Sequence, residues 1–266
     1  MQANALDRYQ AGESLIHRLD PRVKVVVTVL FILSNVLLPD GVWLAFALAW
    51  GLILLISELA GLGLGYALKR SFVALPFALA AVSVMFNLPG QPLFAWQLGP
   101  WHLVATDAGV VRFASIVIRT WLSVQMAILL TATTRFPDLM HALQHLRVPQ
   151  LLVAIISFMY RYLFVITDEA TRLMRAREAR SAQPASGGGG GSIPWKAQVT
   201  GNMVGQLFLR SYERSDRVYN AMLARGYNGQ FLTINPHVMS ASDWTIGAAA
   251  MIILLLLQVI GRVALL

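Results

Sequence analysis

Apolar residues in this chain gather into long blocks. Five of them approach the ~20 residues with which a helix crosses a hydrocarbon core about 30 Å thick: residues 23–38, 42–60, 71–88, 109–133 and 244–261. Pro39, Asp40 and Gly41 form a tight turn between the first two, and Pro89 with Pro92 closes the third. A sixth block, residues 151–167, is shorter and carries Arg161 near its centre. The pattern predicts an all-α integral membrane protein.

Charge placement decides how many blocks cross. Loops rich in Lys and Arg stay on the cytoplasmic side. Arg18, Arg22 and Lys24 precede the first block and put the N-terminus inside; Lys69 and Arg70 then follow the second block, inside by alternation. Residues 89–108 hold no Lys or Arg and fit the outside, and Arg135 and Arg147 return to the inside. If residues 151–167 crossed, Arg172, Arg175, Arg177, Arg180, Arg210, Arg214, Arg217 and Arg225 would all lie outside. The reading is therefore five spans: four within residues 1–134, a cytoplasmic region over 135–242, and a last span within 243–266. Residues 151–167 are then an apolar helix that must cover itself at the membrane interface or against a partner's helices.

Composition agrees. The chain is 57% hydrophobic and only 13% charged, with mean hydropathy +0.61, against about 25% charged in soluble domains. A soluble chain so composed would expose large apolar patches. The absence of cysteine excludes disulfides, iron–sulfur clusters and thiolate nucleophiles. The net charge of +8 sits beside the apolar blocks, and no recognition motif accompanies it, which argues against a nucleic-acid partner. Asp7, Glu13 and Asp20 interrupt any signal-peptide core in residues 1–20, so the first block is expected to remain as a membrane anchor.

The polar middle opens with a short amphipathic helix over residues 137–146, stopped by Pro149. A long helix over about 150–182 follows, apolar first and charged later, with Asp168 and Arg172 at i,i+4 in the favourable order. Residues 186–192 read as a flexible glycine linker. A third helix, from about Trp195 to Arg225, puts Arg210, Glu213, Arg214 and Arg217 on one face, and Gly226 stands at the position of a C-terminal cap. Arg172 and Arg214 read as residues of solvated faces.

The two long helices end alike. Ala176, Ala179, Arg180 and Ser181 repeat as Ala221, Ala224, Arg225 and Gly226: Ala-x-x-Ala-Arg followed by a small residue, forty-five positions apart. Alanines three apart make a smooth patch that another backbone can approach, and the arginine adds a planar fork for carboxylates or carbonyls. Two copies imply two similar receptor grooves, as a pair of homologous or identical subunits would present.

These paired ends resemble those of the transmembrane (T) component of energy-coupling factor ABC transporters. Leu6, Asp7, Arg8 and Tyr9, then Ser14, His17, Leu19, Asp20, Pro21, Arg22 and Lys24, resemble the N-terminus of that family's cobalt-type branch, CbiQ. Ser181 departs from the glycine expected in the first motif, a small-for-small change. The resemblance implies a scaffold subunit in the bacterial inner membrane, with two cassette ATPases docked on the coupling helices through Arg180 and Arg225. It also implies a separate membrane capture subunit, CbiM-like with a small CbiN-like subunit, against the apolar helix at Leu151, Ile155, Phe158 and Leu163. ATP and Mg would be bound by the ATPases and cobalt by the capture subunit, with no cofactor in this chain; nickel or a vitamin are the other cargoes such a scaffold would serve.

The remaining candidates read as structural. His141 and His145 stand at the i,i+4 spacing of metal ligands but lack a third ligand nearby. Arg112 and Arg119 share a face within the fourth block, Arg112 close to Asp107 and Arg119 within possible reach of Glu58 or Asn87. An intramembrane lipid-head-group transferase would need clustered carboxylates that no block carries. A secondary transporter would show repeats and broken midplane helices, and neither is visible. An ABC permease acting as a pair would carry one coupling helix per copy. With no G-x-x-x-x-G-K-[ST] motif, ATP hydrolysis must come from elsewhere.

Overall fold

The computed structural model describes residues 9–98, 101–180, 192–229 and 239–264. In chain order the elements are α1 (Leu15–Arg18), α2 (Pro21–Leu37), α3 (Trp43–Leu59), α4 (Leu64–Arg70), a 3-10 turn (Ser71–Ala74), α5 (Leu75–Ala81), α6 (Val84–Asn87), β1 (Pro92–Leu98) and β2 (Trp101–Thr106). There follow α7 (Asp107–Thr133), α8 (Phe136–His145), α9 (Gln150–Arg180), α10 (Ile193–Ala224) and α11 (Ala241–Val263). They form two compact units, Met1–Leu146 with Asn235–Leu266, and Arg147–Ile234.

The first unit is built around α7, which packs against α2, α3 and the short helices α4 to α6, while α8 and α11 pack on α2. Phe31, Ile53, Leu122 and Leu129 are among its fully buried side chains. Gly65–Phe86, α7, α9 and α11 are long and apolar enough to cross a membrane, and α3 is a shorter apolar helix. The chain is thus an all-α membrane protein, with one small addition: β1 and β2 pair antiparallel, Ala95 opposite Val104, in the segment between the third and fourth apolar blocks.

The third span differs from expectation. It begins at α4 rather than at Ser71 and is broken twice, by the 3-10 turn at Ser71–Ala74 and again between α5 and α6. Pro76 in the first turn of α5 supplies no N–H to the preceding turn, which tightens into 3-10 geometry. Ser71, fully buried, donates from Oγ to Leu68 O (2.8 Å), and Ser83 donates to Ala80 O (3.2 Å) at the second break. Hydroxyls of this kind satisfy carbonyls that a broken membrane helix would otherwise leave bare.

Packing apolar helices in lipid gains little from the hydrophobic effect, so polar ties set register. One knot joins the starts of α2 and α11 to the end of α7. Asp20 caps α2, accepting from Arg22 N (2.8 Å) ahead of Pro21 in the first helical turn. Lys24 Nζ donates to His17 O and Thr133 O (both 3.1 Å). Asp243 accepts from Asp20 N (3.1 Å) and forms a capping box with Ser240 at the start of α11. The resemblance-bearing residues Asp20, Pro21, Arg22 and Lys24 therefore do structural work at this knot.

A second tie lies at the α2–α3 turn. Asp40 takes Arg119 at 2.8 Å and Arg112 at 3.8 Å, so neither arginine uses the partners expected from sequence: Arg119 pairs with Asp40 rather than Glu58 or Asn87, and Arg112 with Asp40 rather than Asp107. The cause is the turn itself, which Gly41 permits with φ +82° and which brings Asp40 alongside α7. Gly41 N donates to Ser115 Oγ (3.0 Å), Arg119 to Leu38 O (2.5 Å), and Asn35 Nδ2 to Arg119 O (2.9 Å).

Replacing Asp243 by alanine removes the N3 member of the capping box and leaves the buried Asp20 N–H without its acceptor. Asp243→Ala is expected to destabilise the detergent-solubilised chain by about 2 kcal/mol, read as a lower midpoint in thermal unfolding. Ser240→Ala, which removes only one member of the capping box, is expected to cost less. An unchanged midpoint for Asp243→Ala would contradict the knot.

Candidate docking site

The second unit is two long helices, α9 of 31 residues and α10 of 32. Glu169 on α9 meets Arg210 (3.1 Å) and Arg214 (2.9 Å) on α10. Phe158 and Tyr162, earlier on α9, share a groove with Val218 and Met222, later on α10. The helices therefore run antiparallel. The hydrogen bond from Arg210, with that from Arg214 behind it, holds the Glu169 carboxyl below its ordinary range.

Two sequence expectations change here. Arg214 is no solvated-face residue but one prong of this clamp. Asp168 and Arg172 form no ion pair among the described residues; the acid that matters is Glu169, one position on. The clamp was missed because its partners lie more than forty positions apart. A signal existed: Arg210 and Arg214 at i,i+4 on one face repel unless an acid lies between them.

The apolar half of α9 faces an open groove of ≈ 760 Å³ against α10. Leu151, Ile155 and Phe158 line it; Leu163 does not, though it too is exposed. Leu151 is 70% exposed and Ile155 54%, so this flank is largely uncovered by the unit itself.

At the helix ends, Ala176, Ala179 and Arg180 are exposed, as are Ala221, Ala224, Arg225 and Gly226; Ser181 lies outside the described residues, as do residues 186–191 of the glycine linker. The α10 end closes as expected. Gly226 at φ +81° donates from N to Leu223 O (3.0 Å), and Tyr227 N donates to Met222 O (3.0 Å), the two bonds of a Schellman cap. No atom lies within 4 Å of the position a Gly226 Cβ would take, so the glycine is demanded by backbone conformation alone and its outer face is open.

The antiparallel pairing separates the two motifs. Arg161 and Arg225 line one groove of ≈ 580 Å³, so the α10 motif lies level with Arg161. Arg180 is more than five helical turns further along α9, ~28 Å at 1.5 Å per residue. The rings of His141 and His145 meet edge to face at 4.7 Å, and no group of three potential metal ligands occurs among the described residues.

A family model described as a cobalt transport protein, CbiQ, matches residues 12–236. This chain belongs to the CbiQ family. Across 260 residues it is 28% identical to an uncharacterized protein of Methanocaldococcus jannaschii, covering 96% of this chain and 86% of the relative. It is 29% identical over 234 residues to the energy-coupling factor transporter transmembrane protein EcfT of Lacticaseibacillus paracasei, covering 84% and 85% of the two chains. With EcfT of Acidaminococcus fermentans the identity is 30% over 234 residues, covering 84% and 83%. The resemblance read from the paired Ala-Arg ends thus holds: this CbiQ-family chain is a multi-pass membrane subunit of the energy-coupling factor type, the T component.

The Glu169 clamp is testable by distance. The chain has no cysteine of its own, so spin labels at Met174→Cys and Val204→Cys, both exposed, report on α9 and α10 alone. A depressed carboxyl contributes stability above its unfolded pKa and loses it as pH falls through the folded value. The label distance is therefore expected to stay narrow from about pH 8 to 5 and to broaden only below about pH 4. Glu169→Gln is expected to broaden it at neutral pH; an unchanged distribution would show that the clamp holds nothing.

Proposed function

We propose that this chain is the scaffold of an ATP-driven importer, in which each Ala-x-x-Ala-Arg end docks one cassette ATPase and the apolar flank of α9 carries a substrate-capture subunit. The observation that supports this most is the placement of the two motifs, both exposed, at opposite ends of one antiparallel pair. Two identical or homologous ATPases bound side by side need two like contacts a helix-length apart. Their hydrolysis cycle, with ATP and Mg bound in those subunits, would change the spacing of the two contacts, and the α9–α10 pair would convert it into movement of the capture subunit.

The exposed residues Leu151, Ile155 and Leu163, with the half-buried Phe158, fit a membrane partner of the CbiM-like kind, accompanied by a CbiN-like subunit. That partner would bind the cargo, for which cobalt ion is the reading that the family description favours. The charge balance supports an orientation with the N-terminus and the second unit on the cytoplasmic side of a bacterial inner membrane. It also supports α9 lying at that surface, although α9 has the length and composition to cross.

Arg180→Ala and Arg225→Ala are each expected to weaken binding of the ATPase pair by about tenfold to a hundredfold, and the double variant to abolish ATP-driven uptake of radioactive cobalt by reconstituted vesicles. Arg172→Ala, on an exposed position with no ion pair among the described residues, serves as the control; Arg214 does not, because of Glu169. Leu163→Asp, exposed and outside both grooves, is expected to release the capture subunit without preventing membrane insertion. Wild-type assembly and uptake by the double arginine variant would contradict the docking reading. Uptake of nickel or a vitamin in place of cobalt would correct the cargo alone.

A further inference from the structure

Twice in this chain two arginines share one carboxylate. Arg112 and Arg119 meet Asp40, and Arg210 and Arg214 meet Glu169. A third arginine pair lines one groove without an acid. Arg161, from the apolar half of α9, and Arg225, the C-cap of α10, line the same ≈ 580 Å³ groove, walled by Phe158, Tyr162 and Tyr227. The groove lining contains no Asp or Glu. Both side chains are exposed, and neither forms an ion pair among the described residues.

We propose that Arg161 and Arg225 together form a cleft for one carboxylate, and that an acidic side chain of the ATPase docked at the second motif occupies it. The proposal rests on the docking reading above and adds Arg161 to it. Two cationic residues lining one groove that holds no acid repel each other until an anion arrives, so the cleft is poised for negative charge. Their planar forks match a carboxylate with paired hydrogen bonds, and a partner that covers the open groove would shield those bonds from water. The occupant is a protein side chain rather than a lipid phosphate because Ala221 and Gly226 belong to the same lining. Small residues with open space above Gly226 let a partner's backbone come close, which a lipid head group does not require. An arginine in the middle of an apolar helix, unexplained by span or cap, thereby acquires a role.

The test measures affinity of the purified ATPase pair for the full chain in nanodiscs of zwitterionic lipid, and again with anionic phosphatidylglycerol included. Arg161→Ala and Arg161→Gln are expected to weaken binding about tenfold and to flatten its salt dependence, with Arg161→Lys recovering part of the loss. The combined Arg161→Ala and Arg225→Ala chain is expected to bind little worse than Arg225→Ala alone, because both arginines act on one carboxylate. Thermal unfolding of each variant confirms that the chain is intact. Wild-type affinity in both Arg161 variants, with Arg225→Ala still impaired, would overturn the cleft and leave the docking reading standing. Wild-type affinity in Arg225→Ala as well would overturn both. Loss confined to nanodiscs with anionic lipid would assign the cleft to a lipid phosphate and overturn the proposal.

Discussion

A carboxylate shared by two arginines fixes each unit of this chain at the place where its helices would otherwise be free to slide. Acids are scarce, thirteen against twenty-one Lys and Arg, and apolar faces in lipid attract one another no more than they attract acyl chains. The few well-placed acids therefore carry the register. Asp40 ties the α2–α3 turn to α7 through Arg119 and Arg112. Glu169 ties α9 to α10 through Arg210 and Arg214. Asp243 brings the starts of α2 and α11 together at the end of α7.

The two ties differ in setting, and the difference matches what each unit is proposed to do. Arg119 is mostly buried, donates to Leu38 O and accepts at its own carbonyl from Asn35 Nδ2, which suits a fixed membrane platform. Glu169 and its arginines lie on a partly wet surface, where ion pairs are screened and exchange easily with water. Alongside them the α9–α10 groove stays open over its apolar flank. In an ATP-driven scaffold, a screened tie beside an open groove would let a movement at the motif ends reach a partner on the flank.

Much of this was legible in the chain. Apolar blocks located most of the long helices because length and apolar composition are local properties, although α2 is not among the helices long and apolar enough to cross and α9 is. Gly41 and Gly226 marked a turn and a cap because positive φ is a local demand. The repeated Ala-Arg ends were visible because both lie at helix C-termini. What escaped was non-local. Arg119 found Asp40 only because the turn folds it back on α7, and Arg214 is paired because Glu169 arrives from a different helix. The break at Ser71–Ala74 falls at the edge of a block read as one helix, and Pro76 was its trace. The hairpin at 92–106 lay in a segment read only for its lack of positive charge.

The central claim is that the two motif ends hold two different ATPase subunits at once. Because the chain has no cysteine, Ala179→Cys and Ala224→Cys can each carry a single photoactivated cross-linker in the assembled complex. The account predicts that each singly labelled chain forms an adduct with one ATPase subunit, and that the doubly labelled chain forms an additional adduct with two. Adducts with only one ATPase subunit from the doubly labelled chain, at full labelling of both positions, would contradict it.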